Sequence, residues 1–276
     1  MSFAAMGRWA CAVLLLLATA GCGRLGAPAT HDRSPAPCDS FVFIHAGDPQ
    51  IGGWTNIADT QSRLIELAAV ANAMQPAFVI MVGDLVNDGA HEQQLKALDE
   101  ALARFHVPTR LMIGNHDDLA AFRSRYGKDF YSFAHCNCEF ICLNSNYFDG
   151  LAPDAQKRRL AQEQLEWLEA TMKQAVKNGK AHIIVAMHHP PALLPLYYVR
   201  LKALFDEYGV QVVLAGHIHK TTQDRFGKAT VYTVGGTAWV ADKPNGYGYR
   251  VFRVRHGRIE QEYVRLGAAA ATQAAG

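Results

Sequence analysis

The chain has 276 residues, 50% of them hydrophobic and 19% charged, with a formal net charge of +2. That much apolar side chain argues against an intrinsically disordered chain, and the near-balanced charge argues against nucleic-acid binding through a basic face. Six cysteines are too few for a disulfide scaffold of this length.

The first segment is an address. Arg8 precedes an apolar run from Trp9 to Ala20, shorter than the roughly 20 residues that span a bilayer. A basic start, a short apolar core and a small-residue exit read as an export signal over residues 1–21. Ala18-Thr19-Ala20 fits an A-x-A cleavage site, whereas Thr19-Ala20-Gly21-Cys22 resembles a bacterial lipobox. The second reading is preferred, because it explains Cys22 as the lipidated first residue of the mature chain. It implies a protein tethered by acyl chains on the periplasmic side of a membrane. Residues 22–39, rich in Pro, Ala and Ser, read as a flexible tether.

From residue 40 the pattern alternates. Phe41–Ile44 reads as a strand, Asp59–Met74 as a helix, Phe78–Val82 as a strand, His91–Phe105 as a helix and Leu111–Ile113 as a strand. A strand at Phe140–Leu143, an amphipathic helix at Leu160–Ala175, and strands at His182–Met187 and Val210–Leu214 follow. Thr230–Val234, Tyr249–Val254 and Ile259–Arg265 then read as meander strands. The expected organisation is βαβ units followed by antiparallel sheet, forming one domain over 40–266, with residues 267–276 a disordered tail. Cys136, Cys138 and Cys142 share strand parity. Outside the cytoplasm Cys38 can pair with Cys136 or Cys138, but sequence does not give the connectivity, and Cys142 reads as a small buried hydrophobe.

The chemistry lies where the strands end. Gly47-Asp48-Pro49-Gln50, Gly83-Asp84-Leu85-Val86-Asn87-Asp88, Gly114-Asn115-His116-Asp117, His188-His189-Pro190 and Gly216-His217-Ile218-His219 each follow a strand. Ligands of open α/β sheets bind outside the carboxyl ends of the strands, so these segments should converge. Oxygen and imidazole donors without thiolate suit Mn, Fe, Zn or Mg. There are more of them than one tetrahedral ion needs, which fits a pair of ions sharing a carboxylate.

GD, GDxxN, GNHD, HHPP and GHIH in this order resemble the calcineurin-like metallophosphoesterase superfamily, over roughly residues 40–255. The resemblance implies a four-layer α/β/β/α sandwich of two mixed sheets flanked by helices, and a hydrolase with two divalent metal ions. Asp84 would bridge the ions. Asp48, with Gln50 and His219, would hold the first; Asn115, His188 and His217 would hold the second. His116 would be the catalytic histidine, with Asn87 where relatives often place an aspartate that orients it. Gln50 departs from the usual Asp-x-His. GDPQ is shared by a branch whose members include proteins described as serine/threonine protein phosphatases, and purple acid phosphatases lack the same histidine. Phosphate monoesters are therefore the expected substrates, on a small molecule or a phosphoprotein, with phosphodiesters the alternative. Two dications would bind non-bridging oxygens and lower the pKa of the attacking water.

Other residues receive plainer readings. His31, His45, His91, His106, His135, His182 and His256 read as core or surface groups; His189 reads as turned to the opposite side from His188 by strand alternation, in a structural or ligand-supporting role. Asp88 and Asp117 read as hydrogen-bonding within their own turns. Lys157-Arg158-Arg159 reads as a solvated helix face, and Tyr147, Phe148, Tyr197 and Tyr198 as packing near the cleft. A catalytically weak scaffold of the same fold is the rival function, sustained by Gln50 and Asn87. No G-x-S-x-G elbow supports a serine hydrolase.

Overall fold

The computed structural model describes residues 38, 40–150, 152–237 and 246–267, all within one unit, Pro37–Gly276. The expected signal peptide, Cys22, the tether except at its Cys38 end, and the tail beyond Gly267 lie outside the described residues.

Strand β1 (Ser40–Ala46) buries Phe43 on one face and Ile44 on the other, so both faces must be covered. It runs parallel to β2 (Phe78–Met81), which runs parallel to β3 (Thr109–Leu111). On its other side the antiparallel hairpin of β10 (Gly248–Arg255) and β11 (Arg258–Arg265) completes a sheet of order β11-β10-β1-β2-β3. The second sheet comprises β4 (Tyr131–His135), β5 (Cys138–Leu143), β6 (His182–Met187), β7 (Val210–Ala215), β8 (Thr222–Phe226) and β9 (Ala229–Thr233). Its order is β4-β5-β6-β7-β9-β8, parallel except at its two edge pairs.

The parity of each strand decides which layer it meets. Phe43, Phe78, Ile80 and Val82 pack between the sheets, where Phe43 stacks on Phe78 and Phe252 at ring separations of 5.3 and 4.9 Å. Ile44, Val79 and Met81 pack on the outer face against α1 (Ile57–Met74) and α2 (Glu92–Leu102). On the far side of the second sheet, α4 (Ala155–Lys177) buries Ala161, Leu165, Leu168, Met172 and Ala175, one stripe at helical spacing. The shorter α5 (Tyr198–Glu207) buries Leu201, Leu204 and Phe205 beside it. The layers are therefore helices, sheet, sheet and helices, as the family resemblance implies. Across the interface the buried Arg250 of β10 donates to the main-chain oxygens of Thr233 and Thr222 at 2.9 and 2.8 Å, linking the sheets.

Two expectations change. The three late strands are not a meander: β9 joins β7 in parallel in one sheet, while β10 and β11 return to the other. The third strand lies at Thr109–Leu111, so the buried Met112 and Ile113 lead into the following loop. The helices α3 (Leu119–Tyr126) and α5 and the strands β4 and β8 are further elements beyond those expected.

Candidate metal centre

Each proposed ligand sits just beyond the end of a parallel strand, and the backbone there is unusual. Asp48, Gln50, Asp84, His217 and His219 have positive φ (50°, 35°, 49°, 69° and 53°). Such conformations cost about 1–3 kcal/mol each in non-glycine residues and persist only where surrounding contacts enforce them. Those contacts are present. Asp48 N–H donates to Gly83 O at 3.1 Å, Gln50 N–H to Asp84 O at 2.9 Å, Gly89 N–H to His116 O at 2.9 Å and Gly216 N–H to His188 O at 3.0 Å. Every strand-end loop is thus bonded to a neighbour.

Side chains meet inside that frame. His188, fully buried, donates from Nδ1 to Val82 O at 2.8 Å, which fixes the ring and leaves Nε2 for the pocket. His188 Nε2 lies 3.0 Å from Asn115 Oδ1, 3.2 Å from His217 Nδ1 and 3.2 Å from Asp84 Oδ2. Asn115 Oδ1 is also 3.0 Å from His217 Nδ1. Asp84 Oδ1 accepts from the His116 N–H at 3.0 Å. Asp48 accepts from the His217 N–H at 3.1 Å, and its Oδ1 lies 3.7 Å from His219 Nε2. Ligand atoms of Asp48, Asp84 and His188 all lie within 4.8 Å of one another, a group able to hold a metal ion.

Charge suits this pocket to a cation. Burial, together with the nearby Asp84 charge, pushes the Asp48 carboxyl up to about 8, although His188 opposes it. Burial works the same way on Asp84, but the His188 imidazole and the His116 N–H outweigh it and hold that carboxyl near 2. His188 is disfavoured as a cation by burial, yet the two carboxylates raise it to about 9. Gln50 Oε1 is buried with no hydrogen-bond partner among the described residues. An acceptor left so is worth about 1–3 kcal/mol of desolvation. Two buried carboxylates, oriented imidazole nitrogens and an orphan amide oxygen fit a hard divalent cation.

His116 is exposed at the mouth of this cluster, with Nδ1 2.8 Å from Asn87 O. The contact runs through the Asn87 main chain; the amide side chain lies close to Gly53 instead.

Several contributors escape a reading of the sequence. Asp117 bonds within its turn to Gly114 N–H at 2.8 Å, as expected, but also accepts from Leu85 and Val86 N–H at 2.9 and 3.1 Å. It therefore clamps the Asp84 loop to the Asn115 loop. Burial, with the Asp84 charge, pushes its carboxyl up to about 7. Asp88 does stay within its turn, accepting from Ala90 N–H. His189 is not turned away, because the strand and its alternation end at Met187; its ring lies 4.3 Å from that of His217. In sequence, only the adjacency of His188 and His189 signals this.

A family model described as calcineurin-like phosphoesterase matches residues 41–221. The chain is 27% identical over 225 residues to a probable cyclic nucleotide phosphodiesterase of Rhodococcus erythropolis, covering 75% of this chain and 74% of that protein. It is 29% identical over 220 residues to the serine/threonine-protein phosphatase CPPED1 of Bos taurus, covering 65% and 69%. A crystal structure of a dimetal phosphatase from Danio rerio superposes with a TM-score of 0.68 at 16% identity, over 82% of this chain and 97% of that one, a likeness of fold.

Proposed function

The chain belongs to the calcineurin-like phosphoesterase family, hydrolases of phosphoric ester bonds, and we propose that it cleaves phosphodiesters at a pair of divalent cations. The convergence of Asp48, Asp84 and His188 in one buried cluster carries this reading. Asp48, Gln50 and His219 would hold one ion, Asn115, His188 and His217 the other, with Asp84 shared. When bound, such ions neutralise non-bridging phosphoryl oxygens and lower the pKa of a water.

The chain supplies the rest. Burial of Asp48, Asp84 and His188 excludes bulk water from around the reacting charges. His116 is exposed, and its Nδ1–H, donated to Asn87 O, orients the ring. In its protonated form the ring carries a second hydrogen on Nε2, which it can hand to the departing alkoxide, a contribution of typically about 10²–10⁴-fold. The transfer leaves a neutral ring with Nδ1–H still on Asn87 O. No covalent intermediate is required.

Charge favours diesters over the monoesters expected from the GDPQ spelling. Two dications against two carboxylates leave a positive pocket, which a singly charged diester and an anionic nucleophile bring to neutrality. A doubly charged monoester leaves a negative charge over. Similarity to the Rhodococcus protein named as a phosphodiesterase supports the same choice. The similarity to the Bos taurus phosphatase favours monoesters as the second reading. Metal-dependent hydrolysis of bis-p-nitrophenyl phosphate and p-nitrophenyl phosphate, compared by kcat/KM, decides: faster diester turnover is expected, and a monoester preference reverses the assignment.

We also propose that the protein is exported, as a lipoprotein anchored through Cys22. Support comes from the leading segment and from a Cys38–Cys136 disulfide, a bond that persists in oxidising compartments.

A further inference from the structure

His189 is a buried imidazole beside the metal pocket that the reaction above does not use. Its ring centre lies 4.3 Å from that of His217 and 5.0 Å from that of His188, and one nitrogen of each ring falls within 4.8 Å of the others. Two readings compete at such a place: a third imidazole ligand, or a hydrogen-bond donor.

Ser145 separates them. It opens the turn that follows β5, is fully buried, and meets His189 twice. The His189 backbone N–H donates to Ser145 Oγ at 2.9 Å, and the same Oγ lies 2.9 Å from His189 Nδ1. A buried hydroxyl must place its own proton. The backbone N–H cannot accept it, so the proton goes to Nδ1. A neutral imidazole accepting at Nδ1 carries its hydrogen on Nε2, the nitrogen left for the pocket side. A ring nitrogen that bears hydrogen cannot ligate a cation, but it can donate to an anionic oxygen.

We propose that His189 is a further substrate-binding residue, whose Nε2–H donates to a phosphoryl oxygen held on the His188–His217 side, and that Ser145 positions it by fixing the tautomer. The assignment rests on the phosphoesterase reading and adds a protein donor to a phosphate otherwise held by cations. It also gives a use to the second histidine of HHPP.

The test uses inorganic phosphate as a competitive probe of the metal-loaded protein, with metal content measured on the same samples. His189→Phe should retain the wild-type metal content while weakening phosphate inhibition and raising KM by about ten- to a hundredfold, the range for a hydrogen bond to a charged group. His189→Gln, which keeps an N–H donor, should recover part of the loss, and Ser145→Ala should show a smaller one. Loss of a metal equivalent in His189→Phe would make His189 a ligand and overturn the proposal. Unchanged phosphate inhibition would reduce it to packing. Nitrogen-detected histidine NMR of the unaltered protein reads the tautomer independently of any variant's folding. Hydrogen on Nε2 is expected, and hydrogen on Nδ1 overturns the proposal. A wild-type protein with no phosphoesterase activity, but with the Nε2 tautomer, would instead count against the reaction.

Discussion

At Gly114 a methyl group has no room: a Cβ there would lie 2.1 Å from Asp84 Oδ1 and 2.2 Å from Asp84 N. At Gly216 a Cβ would lie 2.5 Å from Asp48 Oδ2. These motif glycines let two loops close onto a carboxylate. Gly114→Ala should therefore displace Asp84 and lower kcat/KM by about 10²-fold or more, the effect of misplacing a reacting group by about 1 Å. A folded variant with wild-type kinetics would contradict this. His116→Ala should instead lose about 10²–10⁴-fold in turnover with metal content intact; unchanged turnover would remove its acid role. At this scale the sequence shows the clustered residues well, because Asp, Asn and His after strand-terminating glycines have few structural uses. It does not show the clamp at Asp117, whose partners Leu85 and Val86 stand some thirty residues away in another loop and donate through backbone atoms common to all residues.

Among the elements, α3 and the end of β5 are held together by one carboxylate. Asp129 accepts from Arg123 Nε at 2.7 Å, from Asn144 Nδ2 at 2.8 Å and from the Tyr147 hydroxyl at 2.8 Å. Gln164 of α4 fixes the same corner by bonding Asn144 N–H and O at 2.8 and 3.0 Å. Burial raises the Asp129 carboxyl, but its Arg123, Asn144 and Tyr147 bonds prevail and hold it below the ordinary carboxylate range. A depressed folded-state pKa contributes stability that is complete above the unfolded-state value and is lost as pH falls through the folded-state value. Arg123 is half exposed, which discounts the ion pair and leaves the hydrogen bonds as the main contribution. Asp129→Asn should thus lower stability by about 1–3 kcal/mol at neutral pH, with the gap to wild type closing as melts are taken below pH ~4. A gap that persists in acid would assign the effect to shape instead. Elements with a packed stripe, such as α4, are legible in sequence. The helix α3 buries only Phe122, and β8 buries only Phe226, so neither presents a period. In β4, Tyr131 and Phe133 do alternate, but the strand is short. The parallel partner of β9 is set by the sheet and not by its own residues, which is why it resembles a meander strand.

Across the whole molecule the two sheets send their parallel strands toward one end, where the loops converge. Cys38 and Cys136 lie at the other, just before β1 and β5 begin, and the bridge between them spans 98 residues of chain. Cys138 and Cys142 are buried with thiols pushed up to about 11 and 12, foremost by burial, so they are poor partners for exchange. Sequence left the bridge open between Cys136 and Cys138, since parity alone does not distinguish the tip of a hairpin from its first strand residue. Cys136→Ser should cost about 2–4 kcal/mol in stability and leave kcat/KM at 25 °C unchanged; a kinetic effect would tie the bridge to the distant pocket. The central claim is that these loops assemble a two-cation pocket around Asp84, and an anomalous-scattering map from manganese-soaked crystals tests it most directly. Two peaks about 3.5–4 Å apart, flanking the Asp84 carboxylate, are predicted; a single peak, or peaks that leave Asp84 uncontacted, would contradict the account.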